Sequence, residues 1–324
     1  MTKPQDEQSS TLIVGISGPS SSGKTTLARL LQRVFCGVDL TRGQDKLHTF
    51  IIHEDDFYRP DDQIPYTTLP SGKTVQDWDT AAAIDTTFLA QALAYVREHG
   101  TLPPRLQSKE DQNDASDSGV PDALVAEMRA LVAAKLNGAA AGSAADGNPA
   151  TPAQKTMAFM EGFLLYAAPA GSTPETSPLR PVQDQIHLPL FLPASYDAVK
   201  RRREGRSGYV TIGPAPEIPA SAVAVERKED GPIDLEQEDD RPPQNFWTDP
   251  PGYVDDIVWP RYVQDHAWLL VADETVDGDL IDRVGDGTNV RSDAGVKVVP
   301  GKGSLGMEEV LRWAVREILG FYLG

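Results

Sequence analysis

Eight consecutive residues, Gly18-Pro19-Ser20-Ser21-Ser22-Gly23-Lys24-Thr25, fill every fixed position of a phosphate-binding loop. In such a loop the glycines let the backbone turn tightly and aim successive N–H groups at phosphate oxygens. The lysine reaches the β- and γ-phosphates, and the threonine hydroxyl reaches Mg²⁺. The implied chemistry is binding of a nucleoside triphosphate. The bland alternative is a Ser/Gly-rich turn with no ligand. Context argues against it, because Leu12, Ile13, Val14 and Ile16 read as a buried parallel strand upstream. Downstream, Leu27, Leu30, Leu31 and Val34 repeat at helical spacing. The loop therefore joins a strand end to a helix N-terminus.

Other residues able to do chemistry also follow apolar runs. Thr49 to His53 leads into Glu54-Asp55-Asp56. Adjacent carboxylates at a strand's carboxyl end can accept a proton from an acceptor hydroxyl, or can be no more than solvated loop acids. Met157 to Met160 leads into Glu161. An acid in that place holds Mg²⁺ directly or through water, in concert with the loop threonine, unless it merely opens a helix. Lys200-Arg201-Arg202-Arg203, with Arg206 close behind, is an isolated cationic cluster suited to clamping transferring phosphates. Complementing a helix C-terminus would account for one or two of these charges. Phe246 to Pro260 is aromatic-rich and proline-stiffened, as fit for core packing as for a stacking wall against a planar ring.

Strands and helices alternate around these residues. Strands are expected at Thr11 to Ser17, Thr49 to His53, Met157 to Met160, near Ile186 to Leu192, and at Val296 to Val299. Helices are expected to Phe35, over Ala81 to His99, from about Ser195, from about Asp255, and at the C-terminus, where Leu311, Ala314, Val315, Ile318 and Tyr322 share a face. Such alternation gives an α/β fold: a parallel sheet with helices on both faces and ligands at the carboxyl ends of the strands. No internal repeat is evident. Two segments depart from globular composition, 108–154 and 213–243, and read as surface insertions in a single domain spanning 1–324; within the first, Ala123 to Leu136 can form a short helix.

The 324 residues carry a formal charge of −18, which argues against a nucleic-acid or anionic-membrane partner and requires any anionic ligand to be held by local cations. Cys36 is the only cysteine, so an intrachain disulfide and a zinc cluster are excluded. It reads as a small buried apolar residue after the first helix. The polar start Met1 to Ser10 and the lack of any long apolar run lead us to expect a soluble, cytoplasmic protein; oligomeric state is not legible. A GTPase-like switch would call for Asn-Lys-x-Asp and for an Asp-x-x-Gly after the second acidic strand. The sequence has neither the former nor an Asp at position 161.

The pieces in this order resemble the nicotinamide riboside kinases, a branch near the uridine kinases among phosphate-loop nucleoside kinases. The matching stretches are Gly15 to Ala28, Asp55-Asp56-Phe57-Tyr58, Asp77-Trp78-Asp79, Glu161 to Leu165, Lys200 to Arg206, and Pro251-Gly252-Tyr253 through Trp259-Pro260. The resemblance implies a P-loop kinase fold with a lid segment and transfer of phosphate from ATP to the 5′-hydroxyl of nicotinamide riboside, with nicotinate riboside a second substrate and uridine the near competitor. It implies Asp56 as general base, with Lys24 and Arg206 also catalytic. ATP would be bound by Gly18, Ser20, Ser21, Ser22, Gly23, Lys24, Thr25, Thr26, Arg202 and Arg206. The nucleoside would be held by Asp56, Phe57, Trp78, Asp79, Arg203, Tyr209 and Asp249, and Mg²⁺ by Thr25 and Glu161. Tyr209 would lie beside the ring, a role that Trp247 or Tyr253 can also fill. The adenine-contacting region would follow Trp268, with no recognisable motif.

Overall fold

The computed structural model describes residues 11–41, 45–106, 108, 117–145, 155–169, 177–206, 208–212, 234–236, 244–270, 291 and 294–324. In chain order the strands are β1 (Thr11–Ser17), β2 (Asp39–Thr41), β3 (Asp45–Lys46), β4 (His48–His53), β5 (Tyr66–Thr68), β6 (Thr74–Gln76), β7 (Thr156–Gly162), β8 (Leu188–Phe191), β9 (Tyr209–Ile212), β10 (Gln244–Trp247) and β11 (Lys297–Val298). The helices are α1 (Lys24–Phe35), α2 (Thr86–His99), α3 (Asp122–Ala145), α4 (Arg180–Gln183), α5 (Tyr196–Glu204), α6 (Trp259–Leu270) and α7 (Met307–Leu323).

Five strands form a parallel sheet in the order β11-β8-β1-β7-β4. Every residue of β1 and β7 is buried, as an apolar run closed in on both faces requires. The side chains of β1 alternate across the sheet: Leu12, Val14 and Ile16 pack with α1, α3 and α7, while Ile13 packs with α2 and α6. This is the P-loop kinase α/β arrangement expected above. Three short antiparallel pairs, β2–β3, β5–β6 and β9–β10, lie outside the sheet.

Element boundaries follow local chemistry. α2 begins later than expected, because Ala81–Ala83 forms a separate 3₁₀ turn and Asp85 Oδ1 then caps the helix, accepting from Phe88 N at 2.9 Å. The helix expected near Asp255 enters through a π-helical turn, Val254–Val258, and continues as α6. No helix among the described residues is long and apolar enough to cross a membrane.

Two expectations are corrected. Cys36 is exposed at the end of α1, not a buried filler. The first presumed insertion contains α3, which is longer than expected and buries Leu124, Val125, Met128, Val132 and Leu136 in the same core as α1 and α7. Its alanine- and glycine-rich composition hid a core-facing stripe inside a stretch that looked solvated. The second segment lies outside the described residues apart from 234–236, where Leu235 O accepts from Arg105 N at 3.2 Å.

Because Met128 sits in that core, Met128→Ala should lower unfolding stability by about 2–5 kcal/mol in urea denaturation. A loss below about 0.5 kcal/mol, the scale of a surface change, would mean that α3 is peripheral.

Candidate active site

The phosphate loop leaves β1 at Ser17 and enters α1 at Lys24. Gly18 has φ 150°, and a Cβ there would lie 2.2 Å from Leu192 O, so no side chain fits. The Lys24 ammonium folds back onto Pro19 O at 2.9 Å. Burial pulls its pKa below the ordinary lysine range, against the opposing charges of Glu161 and Asp55. An arriving phosphate would add an opposing charge that favours the ammonium form. The Ser21 and Ser22 hydroxyls are buried with no hydrogen-bond partner among the described residues, as suits a loop built to receive an anion.

Parallel pairing brings the next groups to the same edge. Ile16 lies opposite Glu161, and Glu161 opposite His53. Glu161 Oε1 accepts from Thr25 Oγ1 at 3.0 Å and from His53 Nδ1 at 2.7 Å. Burial raises the Glu161 carboxyl, but the His53 hydrogen bond, the His53 and Lys24 charges and the Thr25 hydrogen bond outweigh it, and the net shift is downward. A hydroxyl and an ionised carboxylate in contact form the hard oxygen set that suits Mg²⁺, which takes one or two protein ligands and completes its shell from phosphates and water.

Beyond β4 the chain makes a 3₁₀ turn, Glu54–Phe57, in which successive side chains diverge by about 120°. Glu54 points inward and accepts from Leu164 N at 3.0 Å through Oε2. Gly162 packs against it so closely that a Cβ would lie 2.4 Å from that oxygen. Burial pushes the Glu54 carboxyl up to about 8. Asp55 lines the cleft with Lys24, Thr25 and Glu161, whereas Asp56, the expected base, is buried and does not line it. Phe57, expected against the substrate, packs instead on Phe88 in the core, with ring centroids 4.9 Å apart.

The cleft continues past Asp79 to Trp78, Tyr209 and Trp247. Asp79 receives a bidentate pair from Arg203, both contacts at 3.0 Å. Arg203 Nε donates to Asp249 Oδ2 at 2.7 Å, and Trp247 Nε1 donates to Asp249 Oδ1 at 3.0 Å. Burial opposes the Arg203 charge, but Asp79, Tyr209 and Asp249 together hold its pKa far above normal. The guanidinium carbon lies 5.2 Å from the Tyr209 ring centre, and that of Arg206 5.5 Å. Tyr253 Oη accepts from Trp78 N at 2.9 Å and donates to Gln76 O at 3.1 Å, so it braces the Trp78 backbone from behind the wall. Trp78 Nε1 and Tyr209 Oη are buried without hydrogen-bond partners among the described residues.

The cationic cluster does not act as one clamp. Helical spacing turns Lys200 out to Asp255 at 2.7 Å, Arg202 onto Ser21 O at 3.1 Å, and Arg203 into its two aspartates, leaving Arg206 on the cleft wall. Of the loop residues expected to bind ATP, Ser20, Ser21, Gly23, Lys24, Thr25 and Thr26 line the cleft, while Gly18 shapes the turn behind it. Residues 271–290, within the region expected to contact adenine, lie outside the described residues. Asp55 and the Glu54 brace were missed as individuals; the signal available was the run of three acids after a strand, which does not say which one turns toward the ligand.

The family resemblance is borne out by comparison. The chain is 28% identical to the nicotinamide riboside kinase of Schizosaccharomyces pombe over 95% of its own length and 96% of the relative's. It is 24% identical to the Saccharomyces cerevisiae nicotinamide riboside kinase over 95% of each chain. With the Eremothecium gossypii nicotinamide riboside kinase it shares 25% identity over 80% of this chain and 78% of the relative. No protein-family model matches the chain.

Glu54 gives a pH signature. Its folded pKa of about 8 lies above the ordinary 4.5, so the folded state keeps a proton that the unfolded chain releases between those values. Its stabilising contribution is complete below about 4.5 and is lost as pH rises to about 8, at up to ~1.4 kcal/mol per pH unit. Urea denaturation of the nucleotide-free protein from pH 5 to 9 should show this loss in the wild type and not in Glu54→Gln. Identical pH profiles for the two proteins would refute the assignment.

Proposed function

We propose that this chain is an ATP-dependent kinase that phosphorylates the 5′-hydroxyl of nicotinamide riboside, giving nicotinamide mononucleotide for NAD synthesis, with nicotinate riboside as a second substrate. The observation that carries the proposal is one continuous cleft: Lys24, Thr25 and Glu161 lie at one end, Trp78, Asp79, Tyr209 and Trp247 at the other, and Asp55 is also on its wall. Similarity over nearly the whole length to nicotinamide riboside kinases supports the same reading.

In this reading the loop amides and Lys24 hold the β- and γ-phosphates, and Arg206 closes over the transferring group. Thr25 and Glu161 would hold Mg²⁺, which when bound neutralises charge on the phosphates. His53 fixes the Glu161 carboxylate from behind. Asp55 replaces Asp56 as the proposed base, because a base must reach the hydroxyl proton and Asp55 is the member of the pair on the cleft wall. Asp79 would accept hydrogen bonds from the ribose hydroxyls. A carboxylate has about four lone-pair sites, so two remain after the Arg203 pair.

The base would lie among Trp78, Tyr209 and Trp247. The ring of nicotinamide riboside is a pyridinium cation, which aromatic faces attract and which the neutral ring of uridine does not match. Buried Trp78 Nε1 and Tyr209 Oη offer polar contacts to its carboxamide. A cytoplasmic location and the lack of a nucleic-acid partner belong to the same proposal, on the strength of the acidic composition and single cysteine.

Labelled ATP with a nucleoside panel tests the substrate: nicotinamide riboside should be turned over in preference to uridine, and the reverse order would reject the assignment. Hydrolysis of ATP that no nucleoside stimulates would instead favour a nucleotide switch. Asp55→Ala should lower kcat by about a hundredfold or more with the fold retained, the scale of a lost general base. Asp56→Ala should act mainly through stability, and a larger kcat loss there than in Asp55→Ala would return the base to Asp56. Asp79→Ala should raise the nucleoside KM more than it lowers kcat.

A further inference from the structure

The β9–β10 pair brings Tyr209 and Trp247 to the cleft. Each strand has four residues, and an isolated ribbon of that size is marginal in water. Hairpin register is ordinarily set by a short turn. Here residues 213–243 separate the two strands in sequence, far more than a tight turn holds.

Trp247 touches Asp249 and Trp78, and Tyr209 lies against Arg203, but the side chain that contacts both strands at once is Asp61. Tyr209 lies opposite Trp247, and Thr211 opposite Asn245. With side chains alternating at period two, all four fall on one face. On that face Thr211 Oγ1 donates to Asp61 Oδ2 at 2.9 Å, and Asn245 Nδ2 donates to the same oxygen at 2.7 Å. One carboxylate oxygen thus bridges both strands at the pair next to the aromatic pair. Asp61 is buried, in the turn Asp61–Gln63 a few residues after Asp55. Its backbone carbonyl accepts from Gln76 Nε2 at 2.5 Å, two residues before Trp78. The hairpin is therefore tied, through Asp61, to the segments that carry Asp55, Trp78 and Asp79.

We propose that Asp61 is a positioning residue that sets nucleoside specificity: its carboxylate staples β9 to β10 and fixes how far Tyr209 and Trp247 stand from Trp78, and so which ring the slot accepts. The inference rests on the nucleoside-kinase reading above. Asp61 does not line the cleft and acts on it through the aromatic wall.

Steady-state kinetics of the full chain with ATP and nicotinamide riboside test this. Asp61→Ala should raise the nucleoside KM about tenfold or more, as loss of a charge-assisted pair of hydrogen bonds requires, while kcat and the ATP KM stay within about threefold. Asp61→Asn, which keeps an acceptor oxygen, should recover part of the loss. Thr211→Val with Asn245→Ala removes the donors instead and should reproduce the effect; adding Asp61→Ala to that pair should change little further. If Asp61→Ala does not fold, the donor-side variant carries the test. An unchanged nucleoside KM, an equal change in the ATP KM, or additive effects would overturn the proposal. Hydrogen exchange provides a readout independent of substrate: amides of 209–212 and 244–247 should exchange about tenfold faster in the variants, and unchanged exchange would also overturn it. Should the wild type prefer another nucleoside, the substrate assignment fails while the exchange measurement still decides the role of Asp61.

Discussion

The position of β7 between β1 and β4, parallel to both, is the constraint on which the rest of the cleft depends. In that register Ser17 lies opposite Gly162, and Glu161 opposite His53. Three chain segments far apart in sequence therefore leave the sheet at one edge and within a few ångströms of each other. A slip of one residue would turn Glu161 to the other face of the sheet and away from Thr25, because side chains alternate at every step. The apolar residues on both faces of β1 and β7 prevent that slip, since it would also exchange the packing partners of two cores. Core packing and site geometry are thus one constraint.

Upon that edge the chain assembles more charge than a protein interior usually admits. Arg203 is buried between two carboxylates, and removing both would leave a desolvated charge, a loss of about 3–5 kcal/mol on the usual scale for broken buried pairs. The arrangement holds because each group has several partners: Asp79 and Asp249 share Arg203, Asp249 also receives Trp247, and Glu161 receives both Thr25 and His53. Groups held by several protein partners have little freedom to reorganise, and such preorganisation is where most of the benefit in phosphoryl transfer lies. Glu54 is the counterexample that shows the rule. Among the described residues no cation hydrogen-bonds to it, burial dominates, and its carboxyl is pushed up to about 8.

Much of this was legible in the residues. The loop Gly18 to Thr25, the limits of β1 and α1, and the acid closing β7 follow from strong local signals: an apolar run, a glycine at an enforced turn, a 3.6-residue repeat. What could not be read was phase. Three acids follow β4, and a 3₁₀ turn sends them in three directions, so Asp55 rather than Asp56 meets the cleft although their sequence contexts are almost the same. The four cations of α5 were equally ambiguous until the helix distributed them around its axis. α3 was misjudged for a different reason. Its alanine-rich composition gives a weak apolar contrast, and only tertiary contact with α1 and α7 shows that it completes a core. Cys36 was misplaced because type alone predicts burial for cysteine, whereas its place at the end of α1 leaves it exposed.

The separation of the two ends of the cleft has an electrostatic logic. A chain with formal charge −18 repels a nucleoside triphosphate at a distance, so the phosphate end must be strongly local: backbone N–H groups at a helix N-terminus, Lys24 and Arg206, all effective over a few ångströms. At the other end Asp79 and Asp249 are paired with Arg203, and the Arg206 guanidinium also lies against the Tyr209 ring, so the charges there balance one another behind aromatic faces. The acidic composition thus opposes a triphosphate at a distance, and only local donors and cations can hold one. The tight, glycine-dependent loop answers that requirement, whereas the other end is a slot defined mainly by the spacing of its aromatic walls.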